Sequence, residues 1–112
     1  VARSNLKGRI DVNQPEIIAC FKKLGMSVET TSDLGGGFPD ILVSFGHVTV
    51  LVEIKDGEKP PSKRKLTTDE QVFRNRTLAW YEVIESIPQA FSLAKKIRKV
   101  ASFIAQAQLG II

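Results

Sequence analysis

Three charged side chains stand in the most apolar part of the chain. Residues 35–55 read GGGFPDILVSFGHVTVLVEIK, so that Asp40 follows a proline while Glu53 and Lys55 flank Ile54. Charges placed among Val, Ile and Leu are costly unless they are paired or hold a cation. A pair of carboxylates suits a hard divalent ion. Mg²⁺ prefers oxygen ligands and often takes one or two carboxylates, keeping water and substrate phosphate as its other ligands. A lysine beside such a site can orient an attacking water and stabilise negative charge in a transition state.

Whether the three converge depends on the elements that carry them. Residues 41–45 and 48–54 are rich in Val, Ile and Leu and predict two strands joined at Gly46-His47. With a two- or four-residue loop centred there, directly opposed residues have numbers summing to 93. Asp40 then lies opposite Glu53, with Cβ atoms about 4.5–5.5 Å apart. Glu53 and Lys55 are two apart and share a face, together with Leu42 and Leu51. Ile41, Val43, Phe45, Val48, Val50, Val52 and Ile54 take the other face. Opposed like charges destabilise a hairpin, and a divalent cation between them removes the conflict.

The remaining elements form a frame. Asn13 to Glu16 reads as a helix start, with Pro15 in the first turn and an apolar stripe of Ile17, Ile18, Phe21 and Leu24 running to Gly25. Residues 26–32 predict a short strand, and Gly35 to Gly37 a loop. Thr67 or Thr68 caps a helix reaching about Arg76, with Glu70 or Gln71 completing a capping box. Residues 77–84 predict a fourth strand. Ser86 caps a long helix with Pro88 in its first turn and Gln89 at the box position. The order α-β-β-β-α-β-α predicts an α/β domain, a small mixed sheet flanked by helices. At 112 residues the chain is one domain, with residues 1–12 as a polar arm and 87–112 as the C-terminal helix and tail.

Composition sets looser bounds. The 16 Lys+Arg against 12 Asp+Glu give a net charge of +4, a weak preference for an anionic partner. The single cysteine, Cys20, cannot form an internal disulfide, which predicts a reducing, cytoplasmic compartment. One Cys and one His, His47 at the hairpin tip, exclude a thiolate–imidazole metal site. No apolar run approaches the length of a membrane span.

Pro39-Asp40 followed by Glu53-Ile54-Lys55 resembles the motif of the PD-(D/E)XK nuclease superfamily. The element order resembles that superfamily's restriction-endonuclease-like αβββαβ core. The segments GGGFPDILV, VEIK and LTTDEQ resemble the small virus-type replication-repair (VRR-Nuc) nucleases, relatives of Holliday-junction resolvases. The resemblance covers about residues 13–75. It implies that Asp40, Glu53 and the Ile54 carbonyl bind a catalytic Mg²⁺, for which Mn²⁺ can substitute. It implies that Lys55 positions or activates the water, that Glu16 is the upstream acid binding metal directly or through water, and that Gln71 is the glutamine beside the site. The implied activity is a metal-dependent DNA endonuclease of replication, repair or recombination, bacterial or phage-encoded, leaving a 5′-phosphate and a 3′-hydroxyl. The alternatives are a dedicated junction resolvase and a non-catalytic DNA-binding module that retains the fold. Structural roles compete for the same residues: Glu16 can close a capping box with Asn13, Gln71 can be a first-turn residue, and Asp40 can cap a turn.

Two further features bear on partners. The loop between Lys55 and Leu66 is longer and more basic than the compact glycine-rich turn of that group. Its Lys59, Lys63, Arg64 and Lys65 are candidate phosphate contacts on DNA. A second basic run, Lys95 to Lys99, reads as the solvated face of the last helix. The stripe Leu93, Ile97, Val100, Ile104, Ala107 and Ile111 is long for so small a core, and part of it suits a homodimer interface, which the resemblance also implies.

Overall fold

Hydrophobic periodicity alone separates the two faces of the sheet. In β2 (Ile41–Phe45) and β3 (Val48–Ile54) the alternate residues Ile41, Val43, Val48, Val50, Val52 and Ile54 are buried. The computed structural model describes residues 13–110. In chain order its elements are α1 (Gln14–Lys23), β1 (Ser27–Thr30), β2, β3, α2 (Thr68–Arg76), β4 (Tyr81–Ile84) and α3 (Ile87–Gln108). The strands form one four-stranded mixed sheet in the order β1-β2-β3-β4, antiparallel except for the parallel β3–β4 pair. That parallel pair requires a crossover, and the crossover carries the 55–67 loop and α2.

The apolar face is sealed by α1 and α3. Ile17 and Phe21 of α1 and Ala90, Leu93, Ala94, Ile97 and Ala101 of α3 join the strand residues in one core. Gly46 turns the hairpin with a left-handed φ of +61°, and the two-residue loop sets Ile41 opposite Val52 and Phe45 opposite Val48. Both strands of the hairpin have the bounds the sequence predicts.

Several details differ from expectation. The first strand is shorter, because a 3₁₀ turn at Ser32–Leu34 ends it. β4 begins only at Tyr81; Thr77 has just closed α2, and Leu78 is fully exposed with nothing to pair against. The Asn13–Glu16 capping box does not form: Asn13 makes no side-chain cap, and its amide reaches across the chain instead. At α3 the Ser86 hydroxyl accepts from the Gln89 N–H at 3.4 Å, but the Gln89 side chain accepts from the Glu85 N–H rather than from Ser86. The α3 stripe runs through Leu93, Ile97 and Ala101, with Ile104 partly buried; Val100 and Ala107 are exposed, and Ile111 lies outside the described residues, as does the 1–12 arm. Arg98 leaves the basic run to stack on Phe45, 4.7 Å from its ring centre, and to donate to the Leu24 carbonyl. Among the described residues no helix is long and apolar enough to cross a membrane.

Candidate active site

The second face of the sheet is where the charges gather. Tyr81 pairs with Leu51 and Val83 with Glu53, so these four share that face. α2 reaches it through Phe73, which meets Phe38 at 5.0 Å and Tyr81 at 6.2 Å between ring centres. Gly37 makes the cover possible. Its φ is +83°, and a Cβ there would lie 2.2 Å from the Asp69 carbonyl oxygen, so the glycine loop can lie directly on the first turn of α2.

Asp40 stands one residue before β2 and is fixed from two sides. Thr31 donates its N–H to the Asp40 carbonyl at 2.8 Å and its hydroxyl to the Pro39 carbonyl at 2.6 Å. The Asp40 carboxylate reaches across to β3 and accepts the Ile54 N–H at 2.8 Å. Asp40 and Glu53 therefore meet at the open end of the hairpin, as the opposed register predicts.

Glu53 is only 3% exposed, and its Oε1 is buried with no hydrogen-bond partner. Burial, then the charges of Asp40 and Glu70 and a hydrogen bond shared with Glu70, push its carboxyl from 4.5 up to about 10. Lys55 sits 3.5 Å from Glu53 Oε2 and 2.8 Å from Glu70 Oε1. Burial pulls the ammonium's pKa down, but the hydrogen bond to Glu70 and the charges of Glu53 and Glu70 outweigh it, and the net shift is upward. Lys55 is thus held as a cation. For Glu70, burial raises the pKa, while the bonds from Lys55 and the Thr67 N–H lower it further, and the net shift is downward. Tyr81 lies close enough to feel the same charges: burial first, then Glu53 and Glu70, raise its phenol, whose oxygen is buried without a partner.

Asp40, Glu53, Lys55 and Glu70 line a cleft of about 520 Å³, together with the glycine loop, α2's first turn and the exposed Lys59, Lys63 and Lys65. The loop bearing those lysines is anchored. Arg64 donates to the Lys59 carbonyl at 2.8 Å and pairs with Glu85 at 3.0 Å, and Gly57 donates its N–H to the Glu85 carbonyl.

Comparison with protein-family models, with curated proteins and with solved structures returns no match.

The geometry sorts the residues chosen from the sequence. Asp40, Glu53, Ile54 and Lys55 come together, with Lys59, Lys63 and Lys65 at the rim. Three do not join them. Glu16 is exposed and lines a separate, apolar hollow between α1 and α3, because the helix turns its inner side through Gln14 and Ile17 instead. Gln71 is exposed and lies outside the cleft lining; Glu70, at the third position of α2, points into it. Arg64 spends its guanidinium on Glu85 and on its own loop. Among the described residues no group of three or more His, Cys, Asp or Glu is arranged to hold a metal ion, so a cation here would rest on two carboxylates and a carbonyl.

Two contributions had no prominent signal. Asn13 donates to the Lys55 carbonyl at 3.1 Å and to the Glu85 carbonyl at 3.3 Å, clasping the ends of β3 and β4. Glu70 completes the capping box with Thr67, and that T-x-x-E spacing is the one clue to its position.

Proposed function

We propose that this chain is a metal-dependent nuclease hydrolysing DNA phosphodiesters. The observation that carries the reading is the Glu53 carboxylate, buried with an unpartnered oxygen, beside Asp40 and a cationic Lys55, at the floor of a lysine-rimmed cleft. A carboxyl held neutral only because it is desolvated near other acids is stabilised as an anion once a divalent cation replaces its proton. Asp40, Glu53 and the Ile54 carbonyl would hold that ion, a hard-oxygen donor set suited to Mg²⁺ or Mn²⁺. When bound, such an ion polarises a phosphoryl oxygen and acidifies a bound water.

The chain's own residues supply the rest. Lys55, kept charged by Glu70, stabilises negative charge accumulating on the phosphorus oxygens and holds the water by hydrogen bonding; a cation so well paired is a poor general base. Lys59, Lys63 and Lys65 attract and align the flanking phosphates without reading bases. Water attacks phosphorus, the P–O3′ bond breaks, and a 5′-phosphate and 3′-hydroxyl remain. α3 projects beyond the core with Phe103 63% and Leu109 76% exposed, and the reading includes a homodimer through this end.

The deciding experiment incubates the protein with linear duplex, single-stranded, flapped and four-way-junction DNAs in Mg²⁺, Mn²⁺, Ca²⁺ or EDTA. Cleavage in Mg²⁺ or Mn²⁺ that EDTA abolishes is the expected result, and the preferred substrate separates a general endonuclease from a junction resolvase. Tight DNA binding with no cleavage in any metal would replace the nuclease by a binding module.

A further inference from the structure

The Lys55 ammonium has two carboxylates to choose from, and the structure has it nearer the one on α2. Glu70 Oε1 is 2.8 Å away and Glu53 Oε2 is 3.5 Å away. The first is the ordinary length of a charge-assisted hydrogen bond; the second is longer. Glu70 is itself held firmly. Its Oε1 also accepts the Thr67 N–H at 2.8 Å, and its own N–H donates to the Thr67 hydroxyl at 3.2 Å. The helix start that bears it is pressed against Gly37, and Phe73 of the next turn is locked on Phe38. Lysine, by contrast, is a long flexible side chain with a point charge that goes to the best anion in reach.

We propose that Glu70 is a positioning residue that holds the Lys55 ammonium on the α2 side of the cleft and so prevents it from closing onto Glu53. Without Glu70 the nearest acid is Glu53, 3.5 Å away. An ammonium bonded there would occupy the carboxylate oxygens and neutralise the charge that a divalent cation needs. Glu70 therefore keeps two cations apart, the fixed one on Lys55 and the exchangeable one at Asp40 and Glu53. The inference rests on the nuclease reading for the identity of the exchangeable cation, but not for the placement of Lys55.

The test has one part with cation and one without. Calorimetric Mg²⁺ titrations compare the unaltered chain, Glu70→Ala, Lys55→Ala and the double variant. Glu70→Ala should weaken Mg²⁺ binding by about 10–100-fold, the usual effect of losing a group that supports a metal ligand. The same substitution in the Lys55→Ala background should cost less than about threefold, because the intruding ammonium is gone. Equal losses in both backgrounds would show that Glu70 acts on the cation by charge alone and would overturn the proposal. The second part is a crystal structure of cation-free Glu70→Ala, in which the separation of Lys55 Nζ from Glu53 should shorten from 3.5 Å to about 2.8 Å; an ammonium that stays on the α2 side overturns the proposal. Glu70→Gln gives the same comparison with an acceptor left for the Thr67 N–H, should the alanine variant fail to fold. Thr67→Ala, which removes the cap but not the carboxylate, should leave Lys55 in place. If the unaltered chain binds no Mg²⁺, the nuclease reading falls, and the cation-free structure alone decides the role of Glu70.

Discussion

The two faces of this sheet follow opposite rules. Beneath it, Ile17, Phe21, Val43, Val50 and Ile97 leave no exposed surface and no polar atom to satisfy. Above it, at the same depth, Glu53 has a buried oxygen without a partner and Lys55 is shared between two acids. The first arrangement lowers free energy by removing apolar area from water. The second raises it by desolvating charge. On the proposed reading, the cost of the second arrangement is offset in the cleft, where a cation and a phosphate would meet these charges.

Neutralising Glu53 should have the largest effect on the upper face. Glu53→Gln keeps the shape, and it should reduce cation-dependent cleavage below detection, as should Asp40→Asn, because neutral amides are poor ligands for hard cations. Glu53→Gln should also raise the stability of the cation-free protein at pH 8 by about 1–3 kcal/mol in urea unfolding, since an amide, unlike this carboxyl, need not take up a proton on folding. A destabilised Glu53→Gln would mean that the carboxyl is structural and the two faces are not opposites.

Phe21→Ala probes the lower face. It should cost about 3–5 kcal/mol of stability and, at temperatures where the variant is folded, leave the cleavage rate nearly unchanged. Lys55→Ala should do the reverse, losing roughly 10²–10³-fold in rate with stability changed little, as followed in single-turnover kinetics and thermal melts.

The pH dependence is a subtler test. The Glu53 carboxyl titrates near 4.5 when unfolded and is raised to about 10 in the fold. Between these values the folded chain binds the extra proton, so its contribution is complete below pH 4.5 and declines progressively as pH rises towards 10. Stability of the cation-free protein should therefore fall from pH 5 to pH 9, a slope that Glu53→Gln removes. Saturating Mg²⁺ should flatten the slope as well.

The smallest effect belongs to the rim. Replacing Lys59, Lys63 and Lys65 by Ala should reduce the slope of log affinity against log salt on duplex DNA by roughly 0.9 for each phosphate that is no longer neutralised, measured in Ca²⁺ to suppress cleavage. Arg64→Ala should change that slope less than any one lysine, because its guanidinium is committed to Glu85.

Much of this arrangement is legible in the sequence. The alternation in 41–54 fixes both strands, Gly46-His47 fixes the turn, and the turn fixes the register that sets Asp40 against Glu53. These are local relations: strand period and loop length need no knowledge of the rest of the chain. Helix starts at Thr67 and Ser86 are legible for the same reason. Rotation of a helix about its axis is another matter. It is decided by which side finds the sheet, and a capping signature fits several rotations. Glu16 therefore faces solvent while Gln14 goes inward, and Glu70 enters the cleft in place of Gln71. The pairing of Arg64 with Glu85, 21 residues apart, and the clasp of Asn13 on Lys55, 42 residues apart, depend on the crossover closing. Residue types and strand register are enough to say which groups can do chemistry and to set two of them face to face. Their surroundings come from the assembled fold, because burial, desolvation and the choice of partner for a charge depend on segments far apart in the chain.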